Sequence, residues 1–112
     1  MVKFVVDDVV AVVFPFSDLS GQKLSPALVL AEAEFGNIIL CQITSKAYTS
    51  KTAIKLTKED FAEGGLPITS YIRPDKLFTA ELSIVEKAVG RLNGEARRAT
   101  LSQVKTLFND KA

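Results

Sequence analysis

Pro26-Ala27-Leu28-Val29-Leu30-Ala31-Glu32-Ala33-Glu34-Phe35-Gly36-Asn37-Ile38-Ile39-Leu40-Cys41-Gln42-Ile43-Thr44 reads as two strands folded back on one another. Pro26 to Ala33 and Asn37 to Thr44 are apolar runs, and Gly36-Asn37 between them is a hairpin signal, because both residues accept the backbone angles of a tight turn. The runs are apolar almost throughout, so both of their faces need cover. A closed or strongly curled sheet meets that need better than a flat sheet with one wet face.

Toward the N-terminus, Val9 to Phe14 is a dense β-branched run halted by Pro15, and Phe16 to Lys23 is polar and turn-rich, a loop. Toward the C-terminus, Ser45 to Lys51 has no helical or strand period and reads as a mobile loop. Ala53 to Leu56 is a short strand. Thr57 caps a helical turn over Lys58 to Glu63, with Gly64-Gly65 as its stop. Ile68 to Arg73 and Lys76 to Ala80 read as strands separated by Pro74-Asp75. Ser83 to Lys87 reads as one helical turn and Ala88 to Leu92 as a last strand. From Gly94 to Phe108 the period changes: Leu101, Val104, Leu107 and Phe108 stand at i, i+3, i+6 and i+7, one face of a helix, with Asn93 as its cap. The expectation is one domain over residues 1–112, β-rich α+β, a curled barrel-like sheet with a terminal helix.

Composition narrows the chemistry. The chain has 112 residues, 47% of them hydrophobic, and a net charge of +1, so it is no strongly basic binder, although a local basic groove balanced by acids elsewhere is compatible with that figure. It has no histidine and one cysteine, Cys41. That rejects histidine acid–base catalysis, Ser-His-Asp triads and structural zinc, and leaves Arg, Lys, Tyr, Thr, Ser, Asp and Glu as the groups for any catalysis. A lone cysteine, no apolar run of membrane length and no secretory leader pattern at Met1 to Asp8 lead to the expectation of a cytoplasmic protein with no membrane contact.

Four tracts carry a family resemblance: Asp8 to Lys23, Pro26 to Leu30, Cys41 to Lys46, and Gly65 to Leu77. In this order they resemble the MazF/PemK toxins of toxin–antitoxin pairs, along essentially the whole chain. The resemblance implies an SH3-like barrel of the CcdB/MazF toxin type with a C-terminal helix. It further implies a symmetric homodimer, metal-independent cleavage of single-stranded RNA with no cofactor, and a cognate antitoxin that lays a segment over the RNA groove. The gyrase poisons of the CcdB type share the fold, but the loops here follow the RNA-cleaving branch. Two positions depart from the family. Ser25 stands before Pro26 where the family has arginine, and Asp8 stands where many members have glycine.

The departure at Ser25 bears on the chemistry the resemblance implies. RNA is cut when its 2′-OH attacks the adjacent phosphorus, and the enzyme stabilises the charge that gathers on the phosphate oxygens. Arginine suits this because its planar fork matches two phosphate oxygens and its charge is permanent. The resemblance assigns that work to position 25 and to Thr44. Serine brings neither the charge nor the reach, so the expected activity is weak or absent. The alternative is a non-catalytic module of the same fold that grips RNA or antitoxin. Arg73 and Asp75, two apart and on the same side of an extended segment, could serve as a second catalytic pair of the kind some PemK-like members use; the plainer reading is a surface ion pair at a turn.

The remaining candidates are RNA-binding. Phe14 or Phe16 offers a ring for base stacking, and Lys23, Lys46 and Lys51 a path for the backbone. Gln22 and Ser45 are candidates for base edges. The antitoxin groove is expected between loops 16–25 and 45–52. Tyr48 and Tyr71 are candidates for stacking or acid roles against the commoner half-buried tyrosine, and Cys41 reads as a core residue.

Overall fold

The computed structural model describes residues 6–13, 24–46 and 52–108. Within them run β1 (Asp8–Val13), β2 (Leu24–Glu32), β3 (Asn37–Thr44), β4 (Ile54–Leu56), β5 (Phe61–Gly64), β6 (Ser70–Glu81), β7 (Val85–Leu92) and the helix α1 (Gly94–Leu107), with one-turn 3-10 segments at Lys58–Asp60 and Leu82–Ile84. The strands form one sheet in the order β4-β6-β3-β2-β1-β7-β5, with every pair antiparallel.

That order forces the sheet to curl. β4 and β5 are its two edges, yet they are joined by the four residues Thr57 to Asp60. Five Cα steps reach at most about 18 Å. A flat seven-stranded sheet would hold its edges about 29 Å apart at a spacing of about 4.8 Å per strand pair. The result is a curled antiparallel half-barrel with one C-terminal helix, as the doubly apolar strands required. Two clusters cover its two sides. Val10, Val12, Ala27, Val29, Ile38, Leu40 and Val85 pack on one side. Val9, Leu28, Cys41, Ile43, Leu56, Ile72, Leu92 and Ala96 pack on the other, with α1.

Several elements differ from expectation. Gly36 and Asn37 do mark the β2–β3 hairpin, but the turn centres on Phe35 and Gly36, with φ of 61° and 73°. It is closed by Ala33 N–H donating to the Asn37 carbonyl at 2.9 Å. The helical turn expected over Lys58–Glu63 is a single 3-10 turn ending at Asp60, and Phe61–Gly64 pairs with β7 instead. Thr57 does stand at that start, where its N–H donates to the Asp60 carboxylate at 2.7 Å. Gly64 is not a helix stop: at φ 62° it lies so close to the Val89 carbonyl that a Cβ would collide with it.

The two strands expected around Pro74-Asp75 are one strand, β6. Cys41 pairs with Leu77 and Ile43 with Ile72, so one β3 residue opposes four on β6. Proline is tolerated in that bulge because the ladder there demands no N–H. The one-turn helix expected at Ser83–Lys87 is the 3-10 turn Leu82–Ile84, and β7 already begins at Val85. Asn93 caps α1 as expected, its side chain accepting from the Ala96 N–H at 2.8 Å. The expected apolar face is covered in part: Leu101 and Val104 are half-buried, Leu107 is 38% and Phe108 70% exposed, and the fully buried helix residues are Ala96 and Thr100. Leu107 lies eleven residues from Ala96, hence on the same face.

Candidate functional site

Side chains alternate faces along a strand, and residues opposite one another on neighbouring strands share a face. Val12 stands opposite Ser25, Tyr71 opposite Thr44, and Tyr71 also opposite Lys55 on its other side. The β2–β3 register, Ala27 to Gln42 and Leu28 to Cys41, sets Ser25 opposite Thr44 when continued by two residues. Val12, Ser25, Thr44, Tyr71 and Lys55 therefore form a row across five strands. Val12 is buried, Ser25, Thr44 and Tyr71 are half-buried, and Lys55 is exposed, so the row climbs out of the core into solvent. By alternation Gln42 and Arg73 stand one step along the same face. Ala96 of α1 packs with the residues of the opposite face.

Local chemistry holds these groups in place. The Thr44 hydroxyl accepts from the Lys46 N–H at 3.2 Å, a local turn that orients the side chain and leaves the hydroxyl its own hydrogen to donate. Arg73 Nη2 lies 3.5 Å from Asp75 Oδ2, with the two side chains 20% and 35% exposed. Their backbone is fixed from beneath, because Cys41 Sγ donates to the Arg73 carbonyl at 2.8 Å. Burial pushes the Cys41 thiol up to about 12, and the Asp75 charge adds to the shift. At neutral pH the sulfur thus keeps the proton it donates. Pro74, buried between Arg73 and Asp75, stiffens the same stretch.

The structure brings together five of the residues singled out from sequence: Ser25, Thr44 and Tyr71 across the row, and Arg73 with Asp75 further along the strand that carries Tyr71. Ser45 and Lys46 follow Thr44 at the exposed end of β3. Phe14, Phe16, Gln22, Lys23, Tyr48 and Lys51 lie outside the described residues, as do most of the two loops expected to form the antitoxin groove. Cys41 is a core residue, as read. The glycine-like backbone at the start of the sheet belongs to Asp7, with φ of 82°, and not to Asp8.

Two residues escaped the sequence reading. Gln42 is the one polar residue in the apolar stretch Ile38 to Ile43, and its place two before Thr44 was the signal. Lys55 sits between Ile54 and Leu56, and that alternation marks it as facing away from the core. Among the described residues no three histidine, cysteine or acidic side chains stand together as metal ligands, and no helix is long and apolar enough to cross a membrane.

Known proteins share this architecture. A mycobacterial endoribonuclease solved with its cognate antitoxin superposes with a TM-score of 0.74 at 15% identity, covering 98% of this chain and 100% of that one. The Mycobacterium tuberculosis toxin MazF-mt6 gives 0.72 at 17% identity, over 94% and 99%. MazF in a MazE–MazF complex from Deinococcus radiodurans gives 0.73 at 18%, over 92% and 94%. At such identities the likeness speaks for the fold. No curated protein matches at significance. The family model of the PemK-like, MazF-like toxins of type II toxin–antitoxin systems matches residues 7–108, nearly the whole chain, and the protein belongs to that family.

Proposed function

We propose that this chain is a ribonuclease toxin whose cleavage of single-stranded RNA is weakened at Ser25, that it acts in the cytoplasm as a homodimer, and that a cognate antitoxin segment covers its RNA groove. The observation that supports the reading is Thr44 opposite Tyr71, two residues before the Arg73–Asp75 ion pair on the same strand, with Ser25 near the start of the neighbouring strand β2. In the reaction the 2′-oxygen loses its proton and bonds to phosphorus, the P–O5′ bond breaks, and the 5′-oxygen leaves protonated. Thr44 donates a hydrogen bond to a phosphate oxygen, Arg73 supplies positive charge, Asp75 takes the 2′-hydroxyl proton, and water supplies the proton of the leaving 5′-oxygen. What is missing is a cation at position 25. One such stabiliser is worth roughly 10²–10³ in rate, and an arginine acting on phosphoryl charge on the order of 10³–10⁵.

The test is cleavage of single-stranded RNA in EDTA by this chain and by Ser25→Arg. The variant should cleave at least about a hundredfold faster and should be toxic on expression without antitoxin. The variant should still fold, which far-ultraviolet circular dichroism checks. Robust cleavage by the parent with no gain in Ser25→Arg would transfer the role to Arg73 and Asp75, and Arg73→Ala should then abolish activity. Binding of RNA without cleavage by either protein would favour the second reading, a non-catalytic grip on RNA or antitoxin, for which Ser25 is the supporting observation.

A further inference from the structure

Tyr71 stands next to the exposed end of the row, and its neighbours define what it can hold. Thr44 faces it from β3 and Lys55 from β4. Arg73 follows two residues on along β6, on the same face. Neighbouring strands lie about 4.8 Å apart and alternate residues about 7 Å apart, so the ring has a cation within one step in each of two directions. The residue is half-buried, so its ring is braced by the sheet while part of it reaches solvent. An aromatic ring braced between cations is the chemistry that holds unpaired bases: the charges follow the backbone, and the ring stacks on a base regardless of its identity. A duplex keeps its bases stacked inside and offers no free face to such a ring.

We propose that Tyr71 is the stacking platform of the RNA groove, gripping one unpaired base next to Thr44, with Lys55 and Arg73 as the phosphate contacts on either side of it. This deepens the RNA reading above and rests on it. It assigns a base-holding role to β6 and extends the groove onto the edge strand β4.

The experiment measures binding of a short mixed-sequence oligoribonucleotide, 2′-O-methylated so that it cannot be cut, against a duplex of the same sequence. Tyr71→Leu should weaken single-strand affinity by about tenfold without changing its salt dependence, and Tyr71→Phe should restore most of the loss. Lys55→Gln should instead lower the slope of log affinity against log salt by about 0.7. The chain has two tyrosines and no tryptophan, so in a Tyr48→Phe protein the emission comes from Tyr71 alone. Single-stranded RNA should quench it and the duplex should not, a readout independent of how well Tyr71→Leu folds. If RNA binds, yet the emission is unchanged and Tyr71→Leu stays within twofold of the parent, the stacking role is overturned and the RNA reading stands. If the parent binds no single-stranded RNA, the RNA reading fails and the platform with it.

Discussion

At Asp7, backbone geometry and charge pull in different directions. Its φ of 82° suits glycine or asparagine. Its N–H donates to the Val29 carbonyl at 2.9 Å and its carbonyl accepts from Leu92 N–H at 3.0 Å, so the residue is pinned between β2 and β7. The carboxylate pairs with Arg97 at 3.1 Å. Burial nevertheless raises its pKa above 3.8, with Asp8 adding to the rise and Arg97 opposing it. A carboxyl whose folded pKa is raised holds its proton more tightly when folded. Its contribution to stability is therefore fullest below 3.8 and falls as pH rises through the raised value. Asp7→Asn keeps the left-handed backbone and cannot ionise. Melting curves of parent and variant across that window should show the parent losing stability relative to Asp7→Asn as pH rises; parallel curves would mean that burial does not govern this group.

Cys41 is the second residue whose worth lies in one contact. Cys41→Val keeps the apolar volume and removes the hydrogen bond to the Arg73 carbonyl. Denaturant unfolding should register a loss of about 0.5–1.5 kcal/mol, and no loss would show that the bulge at Arg73–Lys76 is held by packing alone.

Among the elements, α1 depends most on a single side chain. Asn93 accepts from Ala96 N–H at 2.8 Å, and its Nδ2 donates to the Glu59 carbonyl at 2.9 Å. The cap thus closes the helix and ties it to the turn that joins the two sheet edges. Asn93→Ala should cost about 1–2 kcal/mol in equilibrium unfolding; a cost near zero would mean that neither bond matters. The helix and its cap were legible because an asparagine before a period of 3.6 has a local cause. The buried face was not. Ala96 and Thr100 are buried because the sheet lies under the first turns, and no local signal separates them from Leu107. β6 was misread for a related reason: Pro74 reads as a break until a bulge against β3 removes the need for its N–H.

For the whole molecule, the expectation that remains is assembly. The family is one argument. The other is that Leu24, Phe35, Ile68, Leu107 and Phe108 are exposed among the described residues, Phe35 by 92% and Phe108 by 70%, and are available as contacts for a second copy of the chain. Sedimentation at micromolar concentration should give a dimer, and a monomer with no self-association would remove the homodimer from the proposed function.

The sequence by itself determined the class of this protein. Apolar runs without alternation demand cover on both faces, a hairpin pair needs its turn residues, and a helical period starts at its cap. These are causes that act over a few residues, and the chain states them directly. The absence of histidine likewise limited the chemistry before any contact was known. Thr44, Arg73 and Asp75 entered as candidates through resemblance. Only the tertiary structure decided that Ser25, Thr44, Tyr71 and Lys55 make one row, since register across strands far apart in the chain is set by how the whole sheet pairs and closes. It also decided that Gln42 shares the face, and that a buried thiol anchors the strand carrying Arg73. Such placements depend on partners on other strands, beyond the reach of any local period, and no local pattern encodes where those partners will stand.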